Sequence, residues 1–353
     1  MKIETLLPLG KVDPGLREPE QLLDLHTIGS DAHIVEQLGY DRLVVEETKE
    51  DPFVIMALAA ASTETLGLGT SVAIAFPRSP AITAMSAWTL QKQSKGRFCL
   101  GLGTQVRGHI RRRYGMEWST PAPWIRDYIG AVRAIWRCWQ DRRSLDYKSD
   151  HYNLNLMVPL FDPGPIEYPD IPIVLAAVGP RMSQVGGEVA NGIRPHPVCT
   201  PKYINEVMLP AVEAGLSKAG RSRQGFEIAM KPLVATAPDE DILTQRVRDA
   251  RARIAFYCST PAYRRAFEIH GLGDLATELS QLSKAGRWNE MPERISDEIL
   301  HEYVAVGTYD QIGDILVERF EGVVTSIEFS IAAKDEHDQS TLRGLVKKIR
   351  QTD

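Results

Sequence analysis

"LGLGTSVAIAFPRSP" at residues 66–80 and "CLGLGTQVRGHIRRRYG" at residues 99–115 share the pentapeptide LGLGT, 34 residues apart. In both stretches an apolar run with alternating glycines ends in polar or basic residues. That is the profile of a buried strand delivering its chain to an open end. After the first copy, Ser79-Pro80 pairs a capping side chain with a proline in the first helical turn, where a missing N–H costs little. The repeat therefore marks two neighbouring β/α units. Five shared letters at one spacing do not make a solenoid.

Working outward, short apolar or alternating runs predict strands over 2–7, 41–47, 66–74, 97–103, 171–177, 191–198, 226–236 and 323–330. Helices are predicted between them: Asp51-Pro52 opens 53–64, Ser79-Pro80 opens 80–94, Ser119 and Pro121 open 120–139, and Thr200-Pro201 opens 201–219. Gly39 and Gly220 stand where helix ends call for a left-handed residue. Eight strands alternating with helices argue for parallel pairing with right-handed crossovers, hence an α/β chain folded as a (β/α)8 TIM barrel. Two insertions exceed ordinary loops: 143–170, after helix 4, predicts a hairpin with a proline-rich return, and 258–305, before strand 8, carries extra helices. No flexible linker interrupts the chain, so one domain over 1–353 is expected.

The composition, 43% hydrophobic and 25% charged over 353 residues, is ordinary for a globular protein. With a net charge of −5, only "RGHIRRR" (107–113) is basic enough to attract a polyanion, so no nucleic-acid partner is expected. Cys99, Cys138, Cys199 and Cys258 lack metal-ligand spacing and fit reduced thiols, predicting no metal. The apolar run "FVIMALAAA" (53–61) is far below the roughly 20 residues that span a bilayer, and the expectation is a cytoplasmic protein without membrane insertion.

In a barrel the chemistry gathers at the C-terminal ends of the strands. The tips here are 7–10, 46–48, 71–75, 104–109, 177–179 and 196–200. Neither LGLGT copy is a dinucleotide fingerprint, because the third glycine of GxGxxG falls at Val72 and at Val106. GxxxxGK[ST], HExxH and GxSxG are also absent, which removes support for nucleotide hydrolysis, zinc proteolysis and serine hydrolysis. Two readings remain for Gly67, Gly69, Gly101 and Gly103: room for a flat ligand against backbone, or relief of crowding inside the barrel. "AAVGPRMSQVGGEVANG" (176–192) runs from a strand into a helix start that favours an anion, and Thr200-Pro201-Lys202 repeats the arrangement. Two adjacent anion-ready tips suit a phosphate-bearing cofactor.

"GTSVAIAFPRSPAITAMSAWTLQKQSKGRFCLGLGT" (69–104), "GYDRLVVEETKEDPF" (39–53), "FYCSTPAYRRAFEIHG" (256–271) and "VGTYDQIGDIL" (306–316) resemble, in order and spacing, the bacterial luciferase-like monooxygenase superfamily. Within it the chain is most similar to the branch that uses the deazaflavin coenzyme F420. The resemblance implies a third strand ending in a bulge with a non-prolyl cis peptide at Ser71-Val72, pressed against the central cofactor ring. It places Thr104, Gln105 and Val106 beside the ring and the cofactor phosphate on Ala177, Val178 and Gly179, with Thr200 nearby. Strand alternation leaves open whether Glu46 or Glu47 points inward, and family position favours Glu47. With Gln105, and with His109 as a proton-exchanging residue type just beyond the fourth strand, Glu47 completes the candidate catalytic set. Related sugar-phosphate dehydrogenases carry a histidine after strand 2 and a glutamate after strand 4. This chain has Glu47 or Thr48 and Gln105 or Val106 there, so that pair is not carried over.

The implied activity is hydride transfer between F420 and a small organic substrate, as a dehydrogenase or reductase in a homodimer or homotetramer. The alternatives are an FMN-dependent monooxygenase on the same barrel and a catalytically idle cofactor-binding protein.

Overall fold

The computed structural model describes residues 1–11 and 22–350. The strands are β1 (Lys2–Thr5), β2 (Arg42–Val45), β3 (Gly67–Thr70), β4 (Ala73–Ile74), β5 (Phe98–Gly103), β6 (Tyr147–Lys148), β7 (Asn153–Leu154), β8 (Ile173–Ala177), β9 (Gly192–Pro195), β10 (Glu227–Met230), β11 (Leu233–Ala237), β12 (Val304–Thr308) and β13 (Ser326–Glu328). The helices are α1 (Ile28–Gln37), α2 (Pro52–Ala61), α3 (Pro80–Gln93), α4 (Arg107–Arg112), α5 (Pro121–Asp141), α6 (Pro180–Val189), α7 (Pro201–Tyr203), α8 (Leu209–Lys218), α9 (Glu240–Ser259), α10 (Arg264–Glu268), α11 (Gly273–Lys284), α12 (Asp297–Tyr303), α13 (Ile312–Phe320) and α14 (Glu336–Arg350).

The main sheet runs β3-β2-β1-β13-β10-β9-β8-β5-β4 and closes because β3 also pairs with β5. Since β3 and β4 both lie against β5, they share one position, and nine segments make eight parallel strands. The expected TIM barrel forms.

Local chemistry places its helices. Asp51 accepts from the N–H groups of Phe53 and Val54, Ser79 from Ala81, and Thr200 from Tyr203, so each caps the helix expected of it. Gly39 and Gly220 adopt φ of +87° and +64°. Ser119 differs: Thr120 is the residue before α5, and the Ser119 hydroxyl lies 3.0 Å from His151 Nε2, while His151 Nδ1 lies 2.7 Å from Asp127. This chain pins the β6–β7 hairpin, which the first insertion was expected to form, onto α5.

The second insertion carries the expected extra helices, α10, α11 and α12, and the departure lies in the seventh predicted strand. The run at 226–236 is not one strand: β10 stays in the barrel, and the chain turns at Lys231-Pro232 so that β11 pairs in parallel with β12 outside it. Proline lacks the N–H that a barrel ladder would require there. β12 starts at the last two residues of the second insertion, where helices are expected, and continues over 306–308, for which the sequence predicts no strand.

The LGLGT repeat acquires its meaning from register. Gly69 pairs with Cys99 and Ala73 with Leu102, so four steps along the third strand oppose three along β5. The extra residue makes a bulge at Ser71-Val72, where the peptide is cis, as it is at Leu7-Pro8. The second copy receives this bulge. A Cβ on Gly101 would overlap the Thr70 carbonyl, and one on Gly103 would stand 2.5 Å from Val72 Cγ2. Added Cβ atoms at Gly67 and Gly69 would meet the carbonyl oxygens of Asp41 at 2.7 Å and Cys99 at 3.1 Å. Relief of crowding is therefore the structural role of all four glycines.

Candidate active site

The barrel interior is charged. Buried Glu4 on β1 accepts from Arg42 at 2.6 Å and from Arg194, and Arg42 also reaches Glu227 at 2.7 Å. Burial alone would push the Glu4 carboxyl up, but Arg194 and then Arg42 outweigh it and hold it below the usual carboxylate range. One layer nearer the mouth, the Lys231 ammonium donates to Glu46 at 2.8 Å and lies 3.6 Å from Glu328, which also faces Arg194 at 3.5 Å. Lys11 donates to Glu46 at 3.3 Å. Against burial, Lys231 and Lys11 lower the Glu46 carboxyl to about 2, so it is an anion throughout the neutral range. Glu328 goes the other way: burial dominates and raises its pKa.

Glu46 is thus the carboxylate that β2 presents to the interior cluster. Glu47 is committed elsewhere, accepting from the Ile74 N–H at 2.7 Å and from Arg78 at 2.6 and 2.7 Å. Because Ile74 belongs to β4, Glu47 fastens the segment just past the bulge. Gln105, at φ +57°, turns its side-chain carbonyl to the Val106 N–H at 2.9 Å. His109 is exposed on α4, whose end is tied to the β2 tip by a 3.3 Å bond from Arg113 to the Thr48 carbonyl. The structure does not bring Glu47, Gln105 and His109 into one hydrogen-bonded group.

The residues assigned to the cofactor are divided. Ser71, Val72 and Thr104 are half-buried at the tips of adjacent strands. Ala177 is buried, Val178 is half-buried, and Gly179 leads the ten-residue helix α6 with open space where a Cβ would stand. Thr200 is buried and engaged twice, accepting from Tyr203 N–H and lying 2.8 Å from His270 Nε2. Beyond the bulge, Phe76 stacks on Trp124 at 3.7 Å and meets Trp118 edge-on, while Trp136 bonds the Ala84 carbonyl in the core.

His196, at the tip of β9, was passed over as a candidate. It stacks on Tyr263 at 4.1 Å and meets Tyr257 edge-on, so α9 and the segment after it close over this side of the mouth. Burial and then Lys231 depress its pKa to about 3. Its folded pKa is below that of a free imidazole, so the unfolded chain takes the extra proton and stability falls as pH drops from about 6.5 toward 3. Replacing His196 with phenylalanine should flatten the pH dependence of the unfolding free energy from urea titrations between pH 6.5 and 5, by about 1 kcal/mol per pH unit at most. Parallel wild-type and H196F curves over that range would refute the buried neutral ring.

A signal for this cluster existed in the sequence: Glu4, Arg42, Arg194, Glu227 and Glu328 are charges inside otherwise apolar strands. The cluster borders a cavity of about 320 Å³ bounded by the ends of β1, β10 and β13, by β11 and β12, and by α9. Among the described residues no group of three or more histidine, cysteine or acidic side chains is placed to hold a metal, and no helix is long and apolar enough to cross a membrane.

Against known proteins, the chain is 44% identical over 293 residues to an uncharacterized protein of Mycobacterium tuberculosis, covering 83% of this chain and 86% of that one. It is 25% identical to a 5,10-methylenetetrahydromethanopterin reductase of Archaeoglobus fulgidus, again over 83% and 86%. Among solved structures, the coenzyme F420-dependent tetrahydromethanopterin reductase of Methanopyrus kandleri superposes with a TM-score of 0.74 at 20% identity, covering 99% of this chain and 97% of that one. At that identity the superposition speaks for the fold alone. The family match extends over residues 6–326, from the tip of β1 to the start of β13, and on that span the chain belongs to the luciferase-like monooxygenase family.

Proposed function

We propose that this protein is an F420-dependent oxidoreductase that moves a hydride between the deazaflavin and an organic carbonyl, alcohol, imine or conjugated alkene. The observation that carries the reading is the bulge itself: Val72 rests on Gly101 and Gly103, so Ser71 and Val72 form a ledge at the mouth beside Thr104. The name of a more distant relative, an F420-dependent glucose-6-phosphate dehydrogenase, supports it.

The residues present fit such a group. Ser71, Val72 and Thr104 would carry the ring, and Ala177, Val178 and Gly179 the phosphate, since the open side of Gly179 and the start of α6 leave backbone accessible. When bound, the deazaflavin supplies a ring carbon that accepts or gives a hydride. The chain supplies the rest. Lys231, paired with anionic Glu46, holds a proton on Nζ at the mouth, and Glu47 with Arg78 keeps the ledge in place. The neutral His196 ring and Tyr263 exclude water from the β9 side.

Titration of the purified protein with F420, followed by deazaflavin fluorescence, should saturate, and one of a panel of ketones, alcohols, imines and alkenes should then oxidise or reduce the bound coenzyme. G179A, with its side chain in the phosphate approach, should weaken F420 about tenfold or more. Tight FMN binding with substrate-stimulated oxygen uptake, and no F420 binding, would instead establish the monooxygenase.

A further inference from the structure

We propose that the cavity beneath α9 receives a substrate with an anionic head group, a carboxylate or a phosphate, and that Arg246 is its anchor. This rests on reading the mouth as the redox site and names the class of molecule that enters it.

The roof of the cavity is one face of α9. Ile242, Arg246, Asp249, Ala250 and Arg253 line it at helical spacing, and continuing that line by one turn reaches Tyr257, which packs on His196 at the barrel tip. This face of the helix therefore looks into the mouth.

Charge is the second observation. The chain carries −5 overall, yet among the described residues the cavity is lined by five basic side chains, Lys11, Lys231, Arg246, Arg253 and Lys334, against two acidic ones, Asp249 and Glu328, while Glu46 pairs with Lys11 and Lys231. Burial biases Glu328 toward its neutral form, which weakens the opposing charge further. A cleft lined by one sign within low-dielectric walls concentrates ions of the other sign.

The third observation is unmet polar capacity. Arg246 is half-buried, and among the described residues it makes no hydrogen bond or ion pair. Thr236 Oγ1, in the lining, is buried without a hydrogen-bond partner, and Glu328 Oε2, 6% exposed as a residue, has no hydrogen bond and only an ion pair with Arg194 at 3.5 Å among the described residues. Groups of this kind are ordinarily satisfied, and an oxyanion would pair with Arg246 and accept from Thr236.

Position separates this cavity from the cofactor's own anionic part. Counting around the barrel, β13 lies four strands from β5, so the cavity at β1, β10 and β13 is across the mouth from Thr104. None of Ser71, Val72, Thr104 or residues 177–179 lines it.

Calorimetric titration of the cofactor-free protein with succinate, benzoate and phenyl phosphate, alongside succinamide, benzamide and phenol, tests the assignment. At least one anion should bind saturably and weaken with salt, its neutral counterpart should not bind, and the anion that binds names the head group. R246M should reduce that affinity about tenfold or more and leave F420 binding unchanged. T236V, nearly isosteric, should reduce it several-fold and serves if R246M is poorly folded. Equal binding of neutral and anionic probes, or anion affinity unchanged in both variants, overturns the proposal. So does weakened binding of F420 but not of its tail-less deazaflavin in R246M, because the cavity would then belong to the cofactor. Anion binding without F420 binding would sink only the cofactor reading.

Discussion

Replacing Gly101 with alanine should lower the unfolding free energy by about 3 kcal/mol or more, at the upper end of overpacking costs. The added methyl would overlap the carbonyl oxygen of Thr70, a backbone atom of the neighbouring strand. Moving it away would break the β3–β5 contact that closes the barrel, together with the 2.6 Å bond from the Thr70 hydroxyl to the Gly101 carbonyl. A side-chain clash could relax by a rotamer change; this one cannot. Gly179 provides the contrast, with negative φ and open space at its Cβ position, so G179A should leave the urea midpoint unchanged or slightly raised. Equal midpoints for G101A and wild type would show that the second LGLGT copy does not act as the seat of the bulge.

R194M should destabilise the protein by about 3–5 kcal/mol at neutral pH, because it removes one partner from a buried ion cluster and leaves Glu4 and Glu328 facing each other. The sign of the pH dependence follows from Glu4, whose folded pKa is lowered. Its contribution is present above the ordinary carboxylate range and is lost as pH falls through the folded value. Without Arg194 the Glu4 pKa rises, so the variant's deficit should shrink toward low pH, where the carboxyl is neutral in both proteins. E4Q/R194M should recover part of the loss at neutral pH. Urea midpoints at neutral and acid pH for wild type, R194M and E4Q/R194M decide it, and a deficit that grew on acidification would reject the cluster as described.

Much of the fold was legible because its causes are local. Asp51, Ser79 and Thr200 cap helices two or three residues away, and Gly39 and Gly220 end helices by their own backbone freedom. The split of 226–236 into β10 and β11 was not legible, because β11 pairs with β12 some 70 residues on, and an apolar run alone does not say which partner a strand takes. The candidate site shows the same division. Glu46 and Glu47 are adjacent and their strand is apolar on both faces, so alternation does not rank them. The decision comes from Lys231, 185 residues away, and from Arg78, 31 residues away.

By itself the sequence determined the order of the eight barrel strands, the caps that bound the helices between them, and the two glycine-bearing strands that must lie side by side. These depend on steric and hydrogen-bonding preferences within a few residues. Only the closed barrel decided which charges meet, which carboxylate stays ionised, and where α9 roofs a cationic cavity, because burial and Coulomb forces act on distances that chain closure alone creates.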